Sequence, residues 1–189
     1  MEHSVATTAA KLTYEDFVGF PNDGLRHEIL DGEHYVSPSP NPRHQTVLLN
    51  LYRALDAFIH PRRLGRLFCV AIDVLLAEHD VVVPDLLFVR SERMGIFTAA
   101  NCQGAPDLLV EVLSPSGRKR DEVIKRDRYE KTGVAEYWLV DPDAETVKVF
   151  RRDGERYGRP ELLSLHQGDS LTTALLPDLV IPLAAVFEE

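Results

Sequence analysis

Two carboxylates lie inside apolar runs of the sequence. Asp85 interrupts VVVPDLLFV, and Glu111 interrupts DLLVEVL. A carboxylate inside an apolar strand is costly unless it is paired, hydrogen-bonded or bound to a metal. On neighbouring strands about 4–5 Å apart, the two acids would form an oxygen-rich site for a hard divalent cation, Mg2+ or Mn2+. Two simpler alternatives are a Pro-Asp turn at Asp85 and a water-exposed strand end at Glu111.

A cation close to such a metal would stabilise charge developing on a phosphate or position an attacking water. Leu113, two residues after Glu111, cannot supply it. The segment that follows offers Asp121, Lys125 and Tyr129 at positions i, i+4 and i+8, which form one stripe of a helix. Lys125 could therefore reach the carboxylate pair from above. The alternative is a surface lysine in a helix rich in ion pairs.

The strand that carries Glu111 is predicted to be central in a sheet. Strict alternation over 108–113 puts Leu108, Val110 and Val112 on one face and Leu109, Glu111 and Leu113 on the other. Both faces are mostly apolar, which is typical of a strand covered on both sides. Pro84 cannot donate a backbone hydrogen bond, so it indicates a bulge, an edge or a strand start beside Asp85.

The remaining elements frame these strands. Asp31-Gly32 predicts a tight hairpin within HEILDGEHYV, and Arg43 to His60 has helical periodicity stopped by Pro61. Leu67 to Leu76 and Val81 to Val89 indicate an antiparallel pair. Further predicted elements are a short helix through Phe20, a helix over 120–132, a strand over 136–140, a hairpin around Asp153-Gly154 and a terminal helix from about Pro182. The pattern predicts a mixed α+β fold.

Bulk properties limit the class of protein. A chain of 189 residues with 44% hydrophobic and 27% charged residues fits one domain, predicted over 11–189 behind a flexible tail at 1–10. No apolar run approaches the roughly 20 residues of a membrane span. The two cysteines, Cys69 and Cys102, match no zinc or redox spacing, which favours a reducing cytoplasm.

Charge is unevenly distributed along the chain. The formal net charge of −9 argues against general nucleic-acid affinity over the whole surface. Residues 115–131 nevertheless hold seven bases against four acids. Arg118, Lys119 and Arg120 precede the proposed site helix and could grip a phosphate backbone. The alternative is a solvated helix face.

Other chemistries fit less well. The sequence has no Gly-x-Ser-x-Gly elbow, no glycine-rich phosphate loop and no paired histidine spacing typical of zinc. No organic cofactor is therefore expected.

Taken together, these segments resemble the Uma2 family within the PD-(D/E)xK nuclease superfamily. The matching pieces are HEILDGEHYVSPSP followed by His44-Gln45, then VVVPDLLFV, DLLVEVLSPS, RDEVIKRDRYEKTGVAEYWLVDP and the closing PDLVIPLAAVF. The resemblance implies a restriction-endonuclease-like core with hairpin additions at both ends. It also implies that Asp85 and Glu111 are metal ligands and that the lysine has moved to Lys125. Glu28 would be a third ligand or a water-orienting base, and His44 a loop anchor or a phosphate contact.

The sequence thus favours a metal-dependent DNA endonuclease, in which a water attacks phosphorus and Lys125 stabilises charge or orients that water. Nucleases of this class often act as homodimers, and TVKVFRRDGERYG offers an exposed hairpin for pairing. Two alternatives stay open. One is a catalytically weak accessory protein that keeps the fold, and the other is a nuclease that acts on RNA.

Overall fold

The computed structural model describes residues 10–69 and 72–189. Its helices are α1 (Tyr14–Val18), α2 (Pro42–Arg62), α3 (Arg126–Thr132), which continues a π-helical segment (Arg120–Lys125), and α4 (Leu183–Val186). Turns of 3₁₀ helix cover Ser91–Ile96 and Leu165–Gln167. No helix within the described ranges is long and apolar enough to cross a bilayer.

The strands form a central sheet, a smaller sheet and a hairpin. They are β1 (Arg26–Leu30), β2 (Glu33–Ser37), β3 (Gly65–Phe68), β4 (Val74–Ala77), β5 (Asp80–Val82), β6 (Leu86–Arg90), β7 (Cys102–Gln103), β8 (Leu108–Val112), β9 (Glu136–Asp141), β10 (Thr146–Asp153), β11 (Arg156–Tyr157), β12 (Glu161–Ser164), β13 (Ser170–Thr173) and β14 (Leu176–Pro182). The central order is β11-β10-β9-β8-β6-β3, with β12 also on β10. The smaller sheet runs β2-β1-β5-β4-β7, and β13 pairs with β14. The predicted α+β class is confirmed.

Strand β8 lies in the middle of the central sheet, antiparallel to β6 and parallel to β9. Every residue of β8 is buried. Leu108, Val110 and Val112 pack in the core that α2 covers. Leu109 and Leu113 pack on the opposite face, in the core that contains Tyr129 of α3. The alternation predicted for this strand is therefore confirmed.

The apolar runs predicted over 67–76 and 81–89 pair in antiparallel fashion, but each divides into two separate strands. β3 pairs with β6 in the central sheet, whereas β4 pairs with β5 in the smaller sheet. The break between β5 and β6 falls at Val83-Pro84-Asp85, because Pro84 has no N–H to continue a ladder. The predicted run over 67–76 also includes residues 70 and 71, which lie outside the described residues.

The tight turn at Asp31-Gly32 is confirmed, with positive φ angles of 53° and 81°. Helix α2 begins after Asn41, whose side chain accepts the His44 N–H. It does not stop at Pro61 as predicted but ends at Arg62, since Pro61 removes only one hydrogen bond in the last turn. The tail predicted at 1–10 lies almost wholly outside the described residues, and the single domain over 11–189 stays a prediction.

Candidate active site

Asp85 lies at the break between β5 and β6, and both of its carboxylate oxygens accept hydrogen bonds. Oδ1 lies 2.6 Å from Nη1 of Arg26. Oδ2 accepts the Val112 N–H at 2.8 Å and lies 3.1 Å from Nε2 of His44. Burial opposes ionisation of Asp85, but His44, Arg26 and the Val112 N–H outweigh it and hold the pKa of Asp85 below its ordinary value.

The register of the central sheet places Asp85 beside Glu111. The ladder between β6 and β8 ends at Leu86 opposite Val110. The next residues outward, Asp85 and Glu111, are therefore neighbours across the two strands. Their proximity is also evident in the charge of Asp85, which contributes to raising the pKa of Glu111.

Beneath Asp85 lies a buried group of charges, the site cluster, formed by Glu28, Glu111 and Lys125. The Lys125 ammonium nitrogen is 2.7 Å from Glu28 Oε1 and 2.8 Å from Glu111 Oε1. All three side chains are fully buried. The Tyr129 hydroxyl donates to the same oxygen of Glu111 at 2.7 Å. Lys125 thus reaches back from its helix to carboxylates on two different sheets.

The protonation of the site cluster follows from burial and mutual charge. Burial raises the pKa of Glu111 to about 7, although Lys125 opposes this shift. Burial disfavours the charged form of Lys125, but Glu111 and Glu28 outweigh it and raise the pKa of Lys125 above its ordinary value. Burial also opposes ionisation of Glu28, yet Lys125 and Arg26 keep the pKa of Glu28 below its ordinary value. A positive Lys125 therefore faces an ionised Glu28.

The helix presents Lys125 through its π-helical segment. Asp121 and Lys125 lie on one face, with Asp121 Oδ1 at 3.8 Å from the ammonium nitrogen. The Tyr137 hydroxyl of β9 donates to the Asp121 carbonyl at 3.1 Å. Single π-helical turns are frequent at functional sites. The predicted stripe of Asp121, Lys125 and Tyr129 faces the sheet.

The first hairpin contributes Glu28 and also Arg26, which the sequence reasoning missed. Glu28 Oε1 accepts the Val83 N–H at 2.9 Å, so this hydrogen bond joins the segment between β5 and β6 to the first hairpin. Arg26 lies two residues before Glu28 on β1 and therefore on the same face of that strand. This spacing is the signal that could have identified Arg26.

Two buried carboxylate oxygens of the site cluster lack a hydrogen-bond partner among the described residues. They are Oε2 of Glu28 and Oε2 of Glu111. Buried acceptors are normally satisfied, so an unsatisfied pair in one place indicates a missing donor, water or cation. His44 Nδ1 and the Ser37 hydroxyl share this property.

An open cleft of about 270 Å³ lies above the site cluster. Its walls come from the loop 37–41, the N-terminus of α2 and the loop 114–116. Arg26, His44, Asp85, Arg120 and Asp121 line it. Glu28, Glu111 and Lys125 do not, because they lie buried below its floor.

The structure separates the three bases predicted to contact phosphate. Arg120 lines the cleft, with Nε at 3.5 Å from Asp121 Oδ1 and 3.9 Å from Glu28 Oε2. Arg118 lies outside the cleft lining and pairs with Asp141 at 2.6 and 3.2 Å. Lys119 is exposed and also lies outside the lining.

A divalent cation such as Mg2+ requires oxygen ligands that converge on one point. Within residues 10–69 and 72–189, no three His, Cys, Asp or Glu side chains converge in an arrangement that could hold a metal ion. A Mg2+ site needs fewer, because the ion commonly keeps several waters and binds one or two carboxylates plus substrate phosphates. Asp85 lies opposite Glu111 across the two strands, and Oε2 of Glu111 has no hydrogen-bond partner among the described residues, so the pair fits such a two-carboxylate site.

Comparison with solved structures shows the same fold in a crystal structure described as a putative nuclease belonging to DUF820 from Anabaena variabilis ATCC 29413. The TM-score is 0.79 at 20% sequence identity, over 93% of this chain and 97% of that chain. At this identity the likeness shows the fold alone. No match is found among curated proteins.

A family model agrees with the fold and covers most of the chain. The Uma2 model, described as "Putative restriction endonuclease", matches residues 14–184. That range includes Arg26, Glu28, Asp85, Glu111 and Lys125. The chain belongs to the Uma2 family.

Proposed function

We propose that this protein is a metal-dependent endonuclease that hydrolyses phosphodiester bonds in DNA. The observation that carries the proposal is Lys125, a fully buried lysine at 2.7 and 2.8 Å from Glu28 and Glu111 directly below a cleft lined by Asp85. A buried lysine joined to two acids beneath an open cleft has the composition expected for phosphoryl-transfer chemistry. Family membership and fold agree with this class of reaction.

Asp85 and Glu111 would hold Mg2+ or Mn2+. When bound, the ion would neutralise charge on the phosphate and make a nucleophile of water near neutral pH. The carboxylate of Asp85 is kept ionised for this role by the His44, Arg26 and Val112 contacts.

The other residues of the site have separate roles in the proposal. Lys125 supplies a positive charge that stabilises the charge developing in the transition state and orients the attacking water through Glu28 and Glu111. Glu28 Oε2, which has no hydrogen-bond partner among the described residues, can accept a hydrogen bond from that water. His44 and Arg120 line the cleft and would contact the phosphate backbone. Lys119 and Arg118 would add weaker contacts from outside the cleft.

A second candidate function is a binding or accessory protein that keeps the fold without useful catalysis. Two observations favour it. The net charge of −9 disfavours nucleic-acid affinity, and Glu111 is buried below the floor of the cleft. A nuclease that acts on RNA is a variant of the first proposal.

The test is a cleavage panel with the purified full chain on supercoiled, linear, branched and single-stranded DNA and on RNA. Each substrate is incubated with Mg2+, with Mn2+ and with a chelator. We expect metal-dependent cleavage that Asp85→Asn and Lys125→Ala each reduce by at least about a hundredfold. The matched control is Asp80→Asn, which alters another buried acid outside the cleft. Cleavage of no substrate, or equal cleavage by Asp85→Asn, would contradict the endonuclease proposal.

Two further expectations belong to the same proposal. Cutting both strands of a duplex suits a homodimer, with the β10–β11 hairpin as the pairing surface. Light scattering after size exclusion would measure the oligomeric state, and a monomer at working concentration would contradict it. The cytoplasmic location stays a prediction from the cysteine pattern.

A further inference from the structure

Arg26 differs from the other partners of Asp85 in its freedom to move. The Val112 N–H belongs to a buried strand, and His44 is only 4% exposed. The Arg26 side chain is 28% exposed and lines the cleft. Its guanidinium is at the end of a flexible chain of single bonds. Of these three donors, Arg26 is the one that can leave Asp85 without unfolding an element.

The position of the guanidinium sets up a competition. Oδ2 of Asp85 already accepts from Val112 and lies 3.1 Å from His44, so a cation arriving through the cleft must approach Oδ1. The Arg26 Nη1 occupies that oxygen at 2.6 Å. A divalent ion bound to Oδ1 at about 2.0–2.1 Å would lie next to the guanidinium. The two positive charges would repel each other strongly, because little water is present to screen them.

We propose that Arg26 is a built-in competitor of the divalent cation at Asp85, and that metal entry displaces its guanidinium from Oδ1. This inference rests on the proposed function and goes beyond it by assigning a role to Arg26. The displaced guanidinium stays tethered to β1 beside the cleft, where its planar fork suits a phosphate group. Metal binding and phosphodiester binding would therefore strengthen one another, because the phosphate can bind the guanidinium that the metal displaces from Asp85.

The inference is tested by titrating the chelator-treated full chain with Mn2+ in a calorimeter. The wild type is compared with Arg26→Gln, and we expect the variant to bind Mn2+ at least about tenfold more tightly. The matched control is Arg151→Gln, which removes a guanidinium–carboxylate contact of the same 2.6 Å length to Glu161 at the outer edge of the sheet. The control should bind Mn2+ as the wild type does.

The outcomes separate this inference from the proposed function. Mn2+ binding that Asp85→Asn abolishes but that Arg26→Gln leaves equal or weaker would retain the metal site and reject Arg26 as a competitor. Absence of Asp85-dependent Mn2+ binding in both the wild type and Arg26→Gln would reject both proposals.

A measurement on the wild type covers the case in which Arg26→Gln does not fold. Mg2+ is added to 15N-labelled protein, and the Nη1–H signal of Arg26, which reports the contact with Asp85, is followed by NMR, with Arg26→Lys used for its assignment. We expect the Nη1–H signal to shift and to lose the protection from solvent exchange that its hydrogen bond to Asp85 provides as Mg2+ binds. An unchanged Arg26 signal at saturating Mg2+ would overturn the inference.

Discussion

Two ion clusters connect the same helix to the smaller sheet, and they differ in how completely their acceptors are satisfied. The site cluster of Glu28, Glu111 and Lys125 leaves one oxygen of each glutamate without a hydrogen-bond partner in the part of the chain that the structure describes. Three residues further on, Arg128 donates to both oxygens of Asp80 at 2.8 and 2.5 Å. Asp80 Oδ1 also accepts the Asp31 N–H at 2.9 Å. We refer to Asp31, Asp80 and Arg128 as the bracing cluster.

The difference indicates what each cluster is for. A buried acceptor left unpaired costs about 1–3 kcal/mol, so a cluster that serves stability alone should satisfy its buried oxygens, as the bracing cluster does at Asp80. The site cluster retains free oxygens beneath an open cleft. Its arrangement is understandable if those oxygens serve a ligand rather than the fold.

The largest expected effect comes from removing the cation of the site cluster. Lys125→Met leaves Glu28 and Glu111 buried without their shared positive charge, and we expect the free energy of unfolding to fall by about 3–5 kcal/mol. Urea denaturation measures it. Lys131→Met, at a 59% exposed lysine on the same helix, should change it by less than about 0.5 kcal/mol. An equal loss of unfolding free energy in the two variants would show that the buried Lys125 contributes no more to stability than the exposed Lys131.

The bracing cluster should be less sensitive. Arg128→Met removes the side-chain donors of Asp80 but leaves the Asp31 N–H in place, and we expect a loss of about 2–3 kcal/mol in the same urea assay. Cleavage by the folded fraction should match the wild type, because no member of this cluster lines the cleft. A large loss of cleavage in a well-folded Arg128→Met protein would erase the distinction between the clusters.

A smaller effect is expected from pH. Glu111 titrates near 7 in the folded chain but near its ordinary value of 4.5 when unfolded. Between pH 4.5 and 7 the folded state binds more protons at Glu111 than the unfolded state does, so the contribution of Glu111 to stability falls as pH rises. With chelator present, Glu111→Gln should gain on the order of 2 kcal/mol relative to the wild type between pH 4.5 and 8. A difference that does not vary with pH would contradict the raised pKa.

The smallest effect concerns the bases outside the cleft. Lys119 is exposed, whereas Arg118 is held by Asp141. Lys119→Ala should weaken DNA binding by about 1 kcal/mol or less and reduce its salt dependence by about one phosphate contact. Arg118→Gln should do less, because its guanidinium is already paired. Fluorescence anisotropy over a range of salt concentrations tests both, and an effect of Arg118→Gln larger than that of Lys119→Ala would reverse the order.

The parts of the fold that could be predicted from the sequence depend on local rules. Period-two alternation identified both faces of β8, and the dipeptide Asp31-Gly32 identified the hairpin turn. Helical spacing placed Lys125 on the stripe with Asp121 and Tyr129, although it could not show the π-helical segment. That segment is associated with a contact from Tyr137 on a later strand.

The missed features depend on contacts between distant parts of the chain. Arg26 and Asp85 are 59 residues apart, so no local pattern joins them. Pro84 signalled an irregularity, but the pairing of its two flanking strands in different sheets depends on β1 and β8. The depth of Glu111 below the cleft depends on the loops that form the walls.

The long sequence separations around Asp85 also bear on how the site forms. Its contacts to Arg26, His44 and Val112 span 59, 41 and 27 residues. Loops of this length close slowly, and their entropy is lost before the contacts compensate for it. The cleft should therefore be among the last features to form during refolding, after the hairpin of β1 and β2. Regain of divalent-ion binding would then follow the global folding phase.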